Sequence, residues 1–174
     1  MRKLKLTELG RLTPEEYQEK QKQPIVVVLD NIRSAMNVGS FFRTSDAMAI
    51  SKIYLCGITA QPPHKEITKT AIGATETVDW QHFDEIKSLI GELKTDGFKI
   101  IGVEQTTKSV PLTTFEGSER IALVFGNEVD GLSASILEHL DACIEIEQFG
   151  TKHSLNVSVC GGIVLWYFTN QLKK

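Results

Sequence analysis

The pattern of apolar residues predicts an α/β domain, built on a mostly parallel sheet with helices on both faces. Three observations carry that prediction. Short, continuous apolar runs rich in β-branched residues recur along the chain, as strands buried on both faces require. Between them lie stretches in which apolar residues return every three or four positions, the period of a helix with one buried face. Gly, Asn, Ser and charged residues crowd into three segments, 30–46, 126–133 and 147–158, each after a strand, where sheets of this kind hold their ligands.

Residues 13–22, TPEEYQEKQK, offer Thr at an N-cap, Pro at the first helical position and two glutamates in the first turn, so a short surface helix is predicted. IVVVL at 25–29 is too short for a buried helix and reads as a central strand, and 53–56, 100–103, 121–125 and 143–146 repeat its character. Helices are predicted over 38–49, with Phe41, Phe42 and Met48 apolar, and over 82–95, with Phe83, Ile86, Leu89, Ile90 and Leu93 at helical spacing. A C-terminal helix carries Val157, Cys160, Val164 and Tyr167 or Phe168 at its apolar positions. A chain of 174 residues fits one domain. It divides into a basic leading segment with its short helix, 1–23, and an α/β domain, 24–174.

Apolar residues at 41% and charged residues at 24% exclude a disordered chain. The opening MRKLKLTELG lacks a following apolar run and GGIVLWYF is too short to span a bilayer, so neither secretion nor membrane insertion is expected. Cys56, Cys143 and Cys160 are odd in number and sit in apolar surroundings, which favours buried reduced thiols and the cytoplasm. No pair among these cysteines and His64, His82, His139 and His153 has a metal-ligand spacing, and no metal is expected. A net charge of −3 argues against a protein that coats nucleic acid, because that mode displaces counterions with many cations. An enzyme visiting one RNA site needs only a local patch. Arg2, Lys3, Lys5 and Arg11 can form part of one, or can simply be a solvated leader.

In the first ligand segment, DNIRSAMNVGSFFRTSDA, Asn37 and Gly39 sit where strand is expected to turn into helix, and Arg43 lies about one helical turn beyond Gly39. Asn and Gly can serve as turn and packing residues alone. Arg33 and Arg43 beside one helix start also suit a phosphate or another anion. In the second, LVFGNEVDGLS, Gly126 lets a ligand approach backbone, and the amides of Gly126 and Asn127 can bond a small molecule. Glu128 can cap a helix, pair with an arginine or orient substrate. The segment matches neither a dinucleotide fingerprint nor a phosphate loop. In the third, FGTKHSLNVSVCGG, Ser154 and Asn156 bracket a helix start that either can cap, and Ser158, Cys160, Gly161 and Gly162 permit close approach within the chain or across a subunit interface.

In this order and at these separations the segments resemble the three signature motifs of the SpoU/TrmH family of RNA ribose methyltransferases, within the SPOUT superfamily. Asn37, Gly39 and Arg43 resemble its Asn-x-Gly with Arg four residues on. The run 125–133 resembles Phe-Gly-Asn-Glu-x-x-Gly-Leu-Ser, and 154–158 resembles Ser-Leu-Asn-Val-Ser. The resemblance spans about residues 25–170 and implies a C-terminal deep trefoil knot, a rare exception to ordinary chain topology. It implies S-adenosylmethionine as methyl donor, held by Val103, Glu104, Gly126, Asn127, Ile146, Ser154 and Leu155, and a homodimer with its site near the interface. It implies Arg43 as catalytic arginine, with Asn37, Glu128, Ser154 and Asn156 shaping the site, and RNA held by Arg11, Arg33, Asn37 and Arg43. One departure stands out: where the family often has Ile-Pro-Met, this chain has Ile146, Glu147 and Gln148, which frees a backbone φ and restores an amide.

The expected reaction is methylation of a ribose 2′-hydroxyl, of transfer RNA in preference to ribosomal RNA. The competing expectations are a knotted RNA-binding protein without catalysis, separable by donor binding, and methylation of a base, separable by nucleoside analysis. A nucleotide hydrolase fits less well, because the chain shows no phosphate-loop lysine.

Overall fold

Gln23–Asp30 (β1) lies in the middle of a seven-stranded sheet because it is apolar on both faces. The computed structural model describes residues 1–117 and 120–171, so the last three residues of the expected domain lie outside the described residues. Beyond β1 the strands are Ile50–Cys56 (β2), Trp80–Phe83 (β3), Lys99–Val103 (β4), Val110–Pro111 (β5), Ile121–Phe125 (β6) and Ala142–Glu145 (β7). Their order is β3-β2-β1-β6-β4-β7-β5, and every adjacent pair is parallel. The chain first builds β1, β2 and β3 outward in one direction. β4 then starts on the far side of β1, leaving a gap that β6 later enters.

Alternation along β1 explains the two-sided core. Ile25, Val27 and Leu29 meet Val38, Phe41 and Phe42 of Ala35–Met48 (α2), Ile67 of Lys65–Ala71 (α3), and Val164, Leu165 and Phe168 of Val157–Gln171 (α6) in one cluster. Val26 and Val28 face the other way, toward Ile86, Leu89, Ile90 and Leu93 of Ile86–Thr95 (α4) and Ile136 of Ala134–Leu137 (α5). The sequence-predicted α/β architecture with helices on both faces is therefore the one observed.

The expected surface helix is Pro14–Glu19 (α1), and its Thr13 and Glu16 form a complete capping box. Two predicted helices need correction. The helix expected over 38–49 begins at Ala35, since the Ser34 side chain accepts from the Asn37 amide and caps it. Asn37 thus lies within the first turn, not at the strand-to-helix corner. The helix expected over 82–95 begins only at Ile86: residues 80–83 form β3, with Phe83 in register with Cys56. Phe83 coincided with the helical period, whereas its neighbours pair with β2. The elements not predicted, β3, β5 and α3, have four, two and seven residues, too few for a period to declare itself. No described helix is long and apolar enough to cross a membrane.

Candidate functional site

The three ligand segments converge on one chain of hydrogen bonds at the carboxyl ends of the central strands. From the segment after β6, Glu128 accepts the Arg33 backbone amide at 2.8 Å and the Ser34 amide at 3.0 Å. Both donors stand at the entry to α2, where helical geometry leaves amides without intrahelical partners and favours negative charge. The Asn37 side-chain amide also donates to Glu128, at 3.0 Å. The Asn37 carbonyl then accepts from the Asn156 amide at 3.1 Å and the Ser158 hydroxyl at 3.3 Å. Asn156 in turn caps α6, accepting from the Ser158 and Val159 backbone amides at 3.0 and 3.3 Å. Asn37 is the link because an amide side chain alone offers a donor to a carboxylate and an acceptor to a second amide.

Burial works against the Glu128 charge, but the donors from Arg33, Asn37 and Ser34 together outweigh it and hold its carboxyl below the ordinary carboxylate value. Glu128 is therefore ionised at neutral pH, its lone pairs directed into the protein. The capping alternative was correct in a form the sequence did not suggest, since the capped helix lies more than ninety residues earlier in the chain.

The rest of the second segment is folded back on itself. Asn127 donates to the Asn31 carbonyl at 2.8 Å and accepts from the Val129 and Asp130 amides at 2.8 and 3.2 Å. Gly131 adopts φ +64°, and its amide bonds to the Asn127 carbonyl at 2.9 Å. A Cβ at Gly126 would run into the backbone of Gly131 and Leu132, so only glycine fits there. Glu104, from the end of β4, accepts the Leu132 amide at 2.9 Å and the Gln105 amide at 2.8 Å.

These loops enclose a cavity of 650 Å³, within the range of roughly 300–1,000 Å³ usual for small-molecule sites. Val103, Glu104, Gly126, Asn127, Ile146, Ser154 and Leu155, all expected to hold the donor, line it together with Glu128 and Asn156. Of the altered stretch, Ile146 and Gln148 also lie on the wall. Cys160 lines the cavity too, but burial and then Glu104 push its thiol up to about 11, so it is a protonated wall and not a nucleophile. Cys56, in the other core cluster, is pushed up to about 12 by burial and then Asp30.

Arg43 and Arg11 are elsewhere. Arg43 is the ninth residue of α2, six beyond Asn37, hence about 9 Å along the axis and about 120° around it. It lines a second cavity of 840 Å³ with Arg11, Lys20, Ile72 and Thr77. Gly39, between Asn37 and Arg43, is occupied by packing: a Cβ there would strike Thr70 and the Ile67 carbonyl of α3. Arg33 contributes its backbone amide to Glu128 while the residue as a whole is exposed. Among the described residues the guanidiniums of Arg11 and Arg43 make no hydrogen bond or ion pair. Ile72 ends α3 in the left-handed region at φ 51°, a conformation that costs a side-chain-bearing residue about 1–2 kcal/mol.

Sequence reasoning missed four participants. Ser158 was noted only for its size, yet its hydroxyl joins Asn37 to Asn156. Asn31, in the left-handed region at φ 55°, anchors Asn127; an Asn closing a strand was the available signal. Gln105 and His153 also line the first cavity, joined by a Gln105 side-chain bond to the His153 carbonyl at 2.9 Å, and nothing in their local pattern marks them.

A family model described as the SpoU rRNA Methylase family matches residues 24–166. The 23S rRNA (guanosine-2′-O-)-methyltransferase RlmB of Neisseria meningitidis is 34% identical over 142 residues, covering 82% of this chain and 56% of that protein. The tRNA (guanosine(18)-2′-O)-methyltransferase of Aquifex aeolicus is 31% identical over 152 residues, covering 87% of this chain and 71% of that protein. The crystal structure of an AdoMet-bound rRNA methyltransferase from Sinorhizobium meliloti superposes with a TM-score of 0.81 at 27% identity, over 93% of this chain and 62% of that one. The chain thus spans little more than half of the Neisseria protein and about seven-tenths of the Aquifex one.

Proposed function

This chain belongs to the SpoU rRNA Methylase family, and from that premise we propose that it methylates a ribose 2′-hydroxyl of RNA, using S-adenosylmethionine, with transfer RNA as the favoured substrate. The observation that carries the proposal is the bond chain Glu128–Asn37–Asn156, which draws all three motif segments to the rim of one cavity. The Aquifex relative, named as a transfer RNA enzyme, supports the substrate preference. The Neisseria relative, named as a ribosomal RNA enzyme, keeps ribosomal RNA as the second reading.

The first cavity fits the donor in size and chemistry. Gly126 packs its Cα against the backbone of Gly131 and Leu132, and with Val103, Glu104, Asn127, Ile146, Ser154 and Leu155 it surrounds the space. When bound, S-adenosylmethionine supplies a methyl group activated by its sulfonium. The task of this chain's residues is to align a 2′-oxygen opposite the leaving sulfur and to bear the negative charge that develops there. Glu128, Asn37 and Asn156 fix the rim on which the ribose rests, with Ser154 beside it. Arg43 holds an RNA phosphate and stabilises the developing oxyanion. A guanidinium is a poor base, so a phosphate oxygen, water or a transiently neutral arginine accepts the proton.

Arg43 lines the other cavity of its own chain, and in the homodimer we propose it reaches this rim from the second copy. The surface of α6 supports this. Val159, Ile163 and Trp166 are exposed at spacings of four and three, Trp166 by 59%, and a Cβ at Gly162 would meet nothing. Gly161, by contrast, already packs on Phe41 of α2, so the small residues serve both the chain and its proposed partner. Family membership also implies the deep trefoil knot, for which the late entry of β6 between β1 and β4 is the compatible strand order. Three free thiols, Cys56 buried and Cys143 and Cys160 half-buried, together with the proposed RNA substrate, support a cytoplasmic location.

Incubating the protein with labelled S-adenosylmethionine and total cellular RNA, followed by nuclease digestion and mass analysis of nucleosides, tests the proposal. A 2′-O-methylated nucleoside is expected. Donor binding without incorporation would instead favour an RNA-binding protein, and a methylated base would replace the ribose assignment.

A further inference from the structure

The turn that ends β1 carries two polar residues that methyl transfer leaves unused, Asp30 and Asn31. Asp30 is only 5% exposed and pairs in register with Cys56, and burial pushes its carboxyl above the ordinary carboxylate value. Burying a carboxyl costs stability, so its presence calls for a role. Asp30 accepts the Asn31 side-chain amide at 2.9 Å. The two ends of an amide have the same shape, and an acceptor on one side decides which end faces it. The Asn31 oxygen is thereby turned to the loop after β2, where it accepts the Ile58 amide at 3.2 Å. Asn31 stands at φ 55° opposite Gly57 at φ +59°, and a Cβ at Gly57 would strike the Asn31 oxygen. The backbone of the turn is tied as well. The Asn31 amide donates to the Cys56 carbonyl at 3.2 Å, while buried Thr59 accepts from the Ile32 amide at 2.9 Å and donates to the Leu29 carbonyl at 3.0 Å. On its other side the Asn31 carbonyl accepts the Asn127 side chain, which gathers the Val129 and Asp130 amides. Because β1 lies between β2 and β6, Asn31 joins the loops that follow both neighbours.

We propose that Asp30 and Asn31 are positioning residues for the donor cavity: they fix the turn whose carbonyl latches Asn127, and through Asn127 they set the wall from Gly126 to Gly131. The inference rests on the reading of that cavity as the S-adenosylmethionine site. Neither residue lines the cavity, so both act at a distance of one bond or more from anything bound there. The order of donors and acceptors runs one way, from Asn127 to the Asn31 carbonyl and from the Asn31 side chain to Asp30, and it leaves the Asn31 amide no second orientation. A loop held in this way before the donor arrives does not have to be ordered by it, and affinity rises by the ordering cost that is avoided.

Calorimetric titration of the full chain with S-adenosylmethionine tests the proposal. Asn31→Asp still tolerates a left-handed turn but sets carboxyl against carboxyl where a 2.9 Å bond had been, and the donor Kd should weaken about tenfold. Adding Asp30→Asn to it restores one donor and one acceptor with their sides exchanged, and Kd should return to within about threefold of wild type. Asn127→Asp removes the donor to Asn31 and keeps the acceptor for Val129 and Asp130. On that background Asn31→Asp should cost less than about twofold more, because its effect travels through the bond already lost. Asn31→Gly, which makes the turn without a side chain, should weaken Kd about threefold. A merely structural role would lower Tm in the single variants at Asn31 and leave Kd unmoved. That result, a loss that the exchange does not relieve, or full additivity with Asn127→Asp overturns the inference, while donor binding by the wild type leaves the methyltransferase reading standing. Wild-type protein that binds no S-adenosylmethionine removes both.

Discussion

Helix α2 is bonded through Asn37 to the wall of one cavity and itself lines another, and the two are built on opposite principles. At its first turn, Asn37 belongs to a site whose polar groups are already bonded to one another: Glu128 takes three donors, Asn37 spends both ends of its amide, and Asn156 caps α6. Less than two turns later and on a different face, Arg43 lines a cavity in which it and Arg11 have no partner among the described residues. The first arrangement holds a shape before any ligand arrives, as positioning a donor and an acceptor demands. The second leaves two guanidiniums without a bonded partner among the described residues, as the proposed phosphate contact of Arg43 requires. Internal bonding marks the scaffold of a site, and unmatched charge marks the place where substrate completes it.

The sharpest attempt to break this contrast is Arg43→Ala. Methyl transfer should fall by about 100-fold or more, the usual loss on removing an oxyanion stabiliser, while donor affinity is unaltered. Arg43→Lys keeps the charge and loses the planar fork, and near-wild-type transfer by it would end the role assigned to Arg43. Next in size is Trp166→Glu, which places a charge on the exposed stripe of α6. Light scattering should report single chains and transfer should drop by about tenfold or more, because Arg43 then has no second cavity to enter. A variant that stays active as a monomer would uncouple the two cavities.

Gly126→Ala probes the rigid side, since its methyl meets the backbone of Gly131 and Leu132 and not a movable side chain. A stability loss of about 1–3 kcal/mol is expected, with a donor Kd weakened about tenfold in calorimetry. Glu128→Gln should have the smallest effect, about 1–2 kcal/mol by thermal unfolding, as one carboxylate and its charged bonds are lost. Its pH dependence has a definite sign. The folded protein depresses the Glu128 pKa, so the stabilisation is present above the ordinary value of 4.5 and fades as pH falls through the folded value. The gap in Tm between wild type and Glu128→Gln should therefore be constant near neutrality and close below pH 4.5. A gap that persists in acid would mean the charge contributes nothing.

Much of this was legible before the fold was known. Continuous apolar runs announced strands β1, β2, β4, β6 and β7, and Thr13 with Glu16 announced α1, because each signal lies within a few consecutive residues. The motif residues were legible through their order and spacing, and all those expected around the donor do line one cavity. What escaped was short or distant. Two-residue β5 carries no period, and Phe83 imitated one. The placement of Arg43 depended on where α2 begins, and Ser34 set that start three residues earlier than the apolar pattern suggested.

By itself, then, the amino-acid sequence determined which segments are strands and helices and which residue types stand at their ends, since backbone preference and burial pattern are local properties. Only the tertiary structure decided that Asn37 meets Glu128 across 91 residues and Asn156 across 119. It likewise decided that Arg43 is turned toward another cavity. Those outcomes follow from strand order, with β6 set beside β1 and β7 beyond β4, and strand order is selected by the burial of the whole core and not by any one segment.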